Sequence, residues 1–179
     1  MADRVVVDAS VALAHLFDET GTPAARAVVA EWTRSSTELL VPSHFWIEVA
    51  NALVLGNGFG PGEVVAEFVN LDDLGLTTVE LDRPLLLLAI EQMARYRLSA
   101  YDAIYLALAL ATESKLATLD RRLAEAAGDV GILIGGDGSG RISEASSTYR
   151  GSEAYAGWAY SAVVGAHIAE LRRQALAET

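Results

Sequence analysis

The chain has 179 residues, 52% of them apolar and 21% charged, and it contains no cysteine. This composition excludes a disordered or collagen-like chain and suffices for one domain with its own core, while the missing cysteines exclude disulfides, zinc ribbons, thiolate-held clusters and cysteine nucleophiles together. With 13 Lys and Arg against 24 Asp and Glu, the net charge of −11 excludes binding of nucleic acid by broad phosphate neutralisation, so any such chemistry needs bound cations or a local basic strip.

The predicted elements begin with Val5–Val7, a short β-branched run that reads as a buried strand, followed by a helix over Val11–Phe17. A second helix restarts at Gly21-Thr22-Pro23 and runs to about Arg34, with Ala24, Ala25, Val28, Val29 and Trp32 as its apolar stripe. Leu39–Val41 is a strand stopped by Pro42, and Ser43 is the expected N-cap of a helix from His44 to about Leu55. Gly56–Gly62 is a turn. Helices over Glu63–Leu71 and Pro84–Tyr96 flank a strand at Thr77–Leu81.

Tyr101–Glu113 is apolar almost all round and belongs at the centre of the fold. Lys115–Leu119 is a strand, Arg121–Ala127 a helix and Gly131–Ile134 a last strand. Short strands alternating with helices predict an α/β layer structure around a mostly parallel sheet, with helices on its faces, over residues 1–134. A Gly/Ser-rich linker over 135–152 and a helical tail over 153–179 are expected to follow. The longest apolar runs, Pro84–Ile90 and Ala103–Ala111, are far short of the roughly 20 residues a membrane helix needs. With no signal-like start, the expectation is a cytoplasmic protein away from membranes.

In α/β sheets, ligands collect just beyond the carboxyl ends of the strands. Asp8 and Asp120 directly follow two predicted strands, Asp102 opens the central helix, and Glu48 lies between Ile47 and Val49 in the 44–55 helix. Each acid also has a local reading. Asp8 and Asp120 can cap the helices after them, Asp102 fits a capping-box pattern with Ser99, and Glu48 can face solvent. Taken together, four carboxylates without adjacent Lys or Arg beside Asp8, Glu48 or Asp102 would repel one another. A hard cation such as Mg²⁺ or Mn²⁺, which prefers carboxylate oxygens, removes that conflict.

The segments Val5-Val6-Val7-Asp8-Ala9-Ser10, Pro42–Leu53 with Glu48 and Asn51, Tyr101-Asp102-Ala103 and Thr118-Leu119-Asp120-Arg121-Arg122-Leu123 resemble the acidic motifs of PIN-domain ribonucleases, most of all VapC-type toxins of toxin–antitoxin pairs. The resemblance runs from about residue 4 to 134, with all four motifs in the family's order. It implies a Mg²⁺ or Mn²⁺ site built from Asp8, Glu48, Asp102 and Asp120, with Ser10 and Thr118 as hydroxyls that hold those carboxylates and Asn51 as a supporting polar position. It further implies hydrolysis of RNA to products carrying a 5′-phosphate, a cognate antitoxin and a homodimer. The tail is a departure from the family's usual length.

Arg121 and Arg122 are the basic pair beside a proposed site acid, and either contact an RNA phosphate or face water. His15, His44 and His167 lack the spacing of a local metal motif and are read as structural. Two other readings of the chain stay open: a PIN-like binding or assembly protein that cuts nothing, and a different Mg²⁺-dependent phosphohydrolase. Against the latter, Ser10 stands where phosphatases of that kind place a second Asp.

Overall fold

The computed structural model describes residues 3–17 and 22–135. Five parallel strands form one sheet: β1 (Arg4–Val7), β2 (Glu38–Pro42), β3 (Leu76–Val79), β4 (Lys115–Thr118) and β5 (Gly131–Leu133), in the order β3-β2-β1-β4-β5. The central strand β1 pairs Val6 with Leu40 of β2 on one side and with Leu116 of β4 on the other. Val5, Val6 and Val7 are all buried, as a β-branched run covered on both faces should be.

Seven α-helices connect these strands among the described residues: α1 (Ala9–Leu16), α2 (Thr22–Arg34), α3 (Phe45–Asn51), α4 (Pro61–Asp72), α5 (Arg83–Tyr96), α6 (Ala100–Ala111) and α7 (Arg121–Ala127). The predicted α/β layer architecture is therefore the observed one. Every residue of α6 from Ala103 to Ala109 is buried, and the helix packs on β1, β2 and β4. It is the central helix its composition predicts.

Several boundaries move for local reasons. Helix α1 starts at Ala9 rather than Val11, because Val11 N donates to Asp8 O at 3.0 Å and closes the first turn there. The predicted 44–55 helix is two pieces, α3 and a π-helical turn over Ala52–Gly56. Its N-cap is His44, not Ser43. Ser43 turns toward β3 instead, its N donating to Val79 O at 2.9 Å and its Oγ accepting from Leu81 N at 3.3 Å. Helix α4 starts at Pro61, since proline lacks only an N–H that a first helical turn leaves unused, and Gly60 N donates to Glu63 Oε2 at 2.8 Å.

The order of the sheet reverses direction at β1, with β2 on one side and the later strand β4 on the other. Asp8 N donates to Ala117 O at 3.0 Å, so the carboxyl ends of β1 and β4 lie side by side. That is the topological switch point, where open α/β sheets present their ligand crevice. No helix among the described residues is long and apolar enough to cross a membrane. The predicted linker after Gly135 and the predicted tail lie outside the described residues.

Candidate active site

Asp8 follows β1 in extended backbone and is only 8% exposed. Although it stands at the N-cap of α1, its carboxylate does not cap that helix. Its Oδ2 accepts from Ser10 Oγ at 2.6 Å and from Thr118 Oγ1 at 2.6 Å. These hydroxyls are themselves held, since Ser10 Oγ accepts from Leu119 N at 3.1 Å and Thr118 Oγ1 from Asp120 N at 2.9 Å. The predicted pair of supporting hydroxyls thus meets on one oxygen of Asp8.

Burial raises the Asp8 pKa from the ordinary 3.8 to about 6, against the lowering effect of the two hydroxyls, and the charges of Glu48 and Asp102 push it further up. Asp102 lies in the first turn of α6, where Ser99 caps the helix by accepting from Asp102 N at 3.1 Å and donates its hydroxyl to Asp102 Oδ2 at 2.7 Å. Its pKa is likewise raised, first by burial, then by repulsion from Asp120 and Glu48. The four predicted acids thus form one electrostatic group at the switch point. Among the described residues, none of them pairs with a Lys or Arg.

Glu48 is half-buried on α3. Its Oε2 accepts from the Tyr105 hydroxyl at 2.5 Å and lies 3.3 Å from His44 Nε2. Burial, then the charges of Asp8 and Glu48, raise the Tyr105 pKa well above the phenolic value, so the phenol stays a donor. Asp120 behaves as the local reading of it requires, for its Oδ1 accepts from Arg122 N at 2.6 Å and from Leu123 N at 3.1 Å and caps α7.

Among the described residues, no three His, Asp or Glu side chains converge closely enough to hold a metal ion as they stand. Their hydrogen bonds account for this spread: Asp102 and Asp120 are each tied to the start of their own helix, Asp8 to two hydroxyls and Glu48 to Tyr105. In each case a second carboxylate oxygen is left without a hydrogen bond from the described residues. The donor set is hard, oxygen-only and, apart from the His44 imidazole beside Glu48, without a basic partner among the described residues, and so fits Mg²⁺ or Mn²⁺.

Asn51 is exposed at the end of α3 and makes no hydrogen bond to these acids. Arg121 is exposed beside Asp120, whereas the Arg122 guanidinium donates through Nη2 to the carbonyl of Arg97 and ties α7 to the end of α5. Of the two rings beside Glu48, the sequence reading takes His44 as structural and passes over Tyr105. His44 is one helical turn before Glu48 and shares its face, and Tyr105 is three residues after Asp102, so helical spacing from that acid was the available signal for the tyrosine.

The family model for the PIN domain matches residues 5–129. Similar solved structures include PAE2754 from Pyrobaculum aerophilum, 23% identical, with a TM-score of 0.53 over 70% of this chain and 81% of that one. VapC20 from Mycobacterium tuberculosis, described as a toxin that cleaves the sarcin–ricin loop, is 20% identical, with a TM-score of 0.55 over 72% of this chain and 98% of that one. A toxin–antitoxin complex from Klebsiella pneumoniae is 18% identical, with a TM-score of 0.50 over 65% of this chain and 86% of that one. No curated protein matches the chain significantly.

Proposed function

The chain belongs to the PIN-domain family, and from that premise we propose that it is a Mg²⁺- or Mn²⁺-dependent endoribonuclease, acting in the cytoplasm as the toxin of a toxin–antitoxin pair. The observation that carries this reading is Asp8, a buried carboxylate raised to about 6 whose charged neighbours are Glu48 and Asp102. Keeping such a group in the core is unfavourable in the absence of a cation, and favourable once a divalent ion balances the shared negative charge.

In this reading Asp8, Glu48, Asp102 and Asp120 hold the ion. Ser10 and Thr118 fix Asp8 through its Oδ2, and Asp120 stands at the start of α7 with Oδ1 tied to that helix. Asn51 lies one helical turn beyond Glu48 and keeps only the supporting role that the resemblance implies. When bound, the cation supplies Lewis-acid stabilisation of the phosphoryl oxygens and lowers the pKa of its water. Arg121 and Arg122 contribute the local positive charge that a chain of net charge −11 needs to meet an RNA phosphate.

The antitoxin and homodimer assignments are supported by exposed apolar side chains on neighbouring elements, Ile47 on α3, Leu55 on the π-helical turn and Val65 and Val69 on α4. Apolar surface of that kind marks protein contact. For the antitoxin, two of the similar structures add support, one being a toxin and one a toxin–antitoxin complex.

The test is cleavage of RNA by the purified full-length protein in Mg²⁺ or Mn²⁺, against EDTA and against Asp102→Asn. Cleavage that requires the metal and disappears in the variant is expected. A wild-type protein that neither cuts RNA nor binds Mn²⁺ would put the non-catalytic binding protein in its place.

A further inference from the structure

Two buried rings meet at one oxygen of Glu48. The Tyr105 hydroxyl donates to Glu48 Oε2 at 2.5 Å, and His44 Nε2 stands 3.3 Å from the same atom. Neither ring has freedom to leave. Tyr105 is 0% exposed and His44 7%, and they pack edge to face with centroids 4.9 Å apart. Among the described residues Oε1 of Glu48 accepts no hydrogen bond.

The placement of Tyr105 is hard to account for by packing alone. The surrounding positions of α6, from Ala103 to Ala109, are otherwise aliphatic and buried. A phenol in such a helix brings a polar tip into the core, at a cost unless that tip is bonded. Its bond reaches not to a backbone carbonyl but to a carboxylate 57 residues earlier in the chain. The same helix carries Asp102, three residues before Tyr105, so α6 both presents one acid and holds another.

Building on the nuclease reading, we infer that Tyr105 is a positioning residue of the metal site: its hydroxyl fixes Oε2 of Glu48 and leaves Oε1 to the cation. His44 Nε2 stands 3.3 Å from the same Oε2, and its ring packs on that of Tyr105. The phenol oxygen also meets the backbone N–H of Ala9, but the hydrogen bond that ties the hydroxyl to a carboxylate of the site runs to Glu48. Its effect therefore depends on Glu48 being a carboxylate, which a purely packing role for the ring does not require.

A double-mutant cycle on the full-length protein tests this, with Mn²⁺ as the probe and its binding followed by the electron paramagnetic resonance of the free ion. Tyr105→Phe keeps the ring and removes the hydroxyl. It is expected to melt cooperatively, to bind Mn²⁺ about tenfold or more weakly, and to raise the Mn²⁺ needed for half-maximal RNA cleavage while regaining turnover at saturating metal. In a Glu48→Gln background the same substitution should change Mn²⁺ binding by less than twofold. Wild-type Mn²⁺ affinity in Tyr105→Phe, or an equal loss in both backgrounds, overturns the inference.

If Tyr105→Phe does not fold, the wild type carries the test. Adding Mn²⁺ should then perturb the near-ultraviolet absorption of a buried tyrosine, and Glu48→Gln should abolish that signal. Absence of the signal in wild-type protein that binds Mn²⁺ overturns the positioning role and leaves the nuclease reading standing. Wild-type protein that neither binds Mn²⁺ nor cuts RNA overturns both.

Discussion

Thr118, the last residue of β4, donates its hydroxyl to Asp8 Oδ2 at 2.6 Å across 110 residues of sequence, and is itself fully buried. The same Oγ1 accepts from Asp120 N at 2.9 Å, so one hydroxyl joins the carboxyl ends of two neighbouring strands and both of the acids that follow them. Thr118→Val preserves the shape and removes these bonds. A hydrogen bond to a buried charge contributes about 1.5–3 kcal/mol. Urea unfolding at pH 7 is expected to show a loss of that order, Thr118→Ser should lose less than half as much, and equal stability of Thr118→Val and wild type would refute the role given to the hydroxyl.

Asp8 links the site to pH. Its pKa lies near 6 in the folded protein against the ordinary 3.8, so the folded state binds the proton more tightly than the unfolded chain. Stability from this group is therefore complete below about pH 4, falls as pH rises toward 6, and is level above that. The fall amounts to about 3 kcal/mol for the metal-free protein. Urea unfolding in EDTA at several pH values should show Asp8→Asn gaining that much relative to wild type between pH 4 and pH 7. Parallel pH profiles for the two proteins would contradict it. Excess Mn²⁺ should offset the fall in wild type, by about 2.7 kcal/mol at a hundredfold excess over its dissociation constant.

How far the sequence carried differs between the fold and the site. The strands β1 and β4, and the central position of α6, were legible because Val5–Val7, Lys115–Leu119 and Ala103–Ala111 are dominated by apolar residues, most of which the fold buries. The cap of α3 was not, since Ser43 is a favoured cap by type but its hydroxyl is taken by Leu81 N from another strand connection. Tertiary demand overrode local preference. The local readings of the acids also divide. Asp120 caps α7 with its side chain, whereas Asp8 stands at a cap position and bonds elsewhere, because Thr118 reaches it through the sheet. Tyr105 passed for core because the apolar run around it outweighed its helical spacing from Asp102 and says nothing about where one hydroxyl points.

The contact between α7 and β5 depends on Gly131. A Cβ there would lie 2.6 Å from the Ala124 carbonyl oxygen and 3.2 Å from Ala127 Cβ, although its backbone, with φ −73°, suits any residue. The constraint is steric. Gly131→Ala must push α7 away from the strand and is expected to cost about 1–3 kcal/mol. Gly62, at the start of α4, has nothing within 4 Å of an added Cβ, and Gly62→Ala should stabilise by about 0.4–1 kcal/mol. Thermal unfolding of the two variants should move in opposite directions, and a neutral Gly131→Ala would show that α7 has slack.

Asp120 carries two roles that substitution can separate. Oδ1 accepts from Arg122 N and Leu123 N and caps α7, while the charge of the carboxylate is felt by Asp102. Asparagine keeps an oxygen for the cap and removes the charge, and alanine removes both. Asp120→Asn should therefore melt close to wild type, and Asp120→Ala should lose about 1 kcal/mol. Both should lose RNA cleavage by about a hundredfold or more and bind Mn²⁺ more weakly, as expected when a charged ligand is removed. If Asp120→Asn cuts RNA as well as wild type while Asp120→Ala is merely less stable, Asp120 is a helix cap and the cation site consists of Asp8, Glu48 and Asp102. The contrast is informative because capping and ligation make different demands on the same side chain, one for an acceptor oxygen and the other for a negative charge.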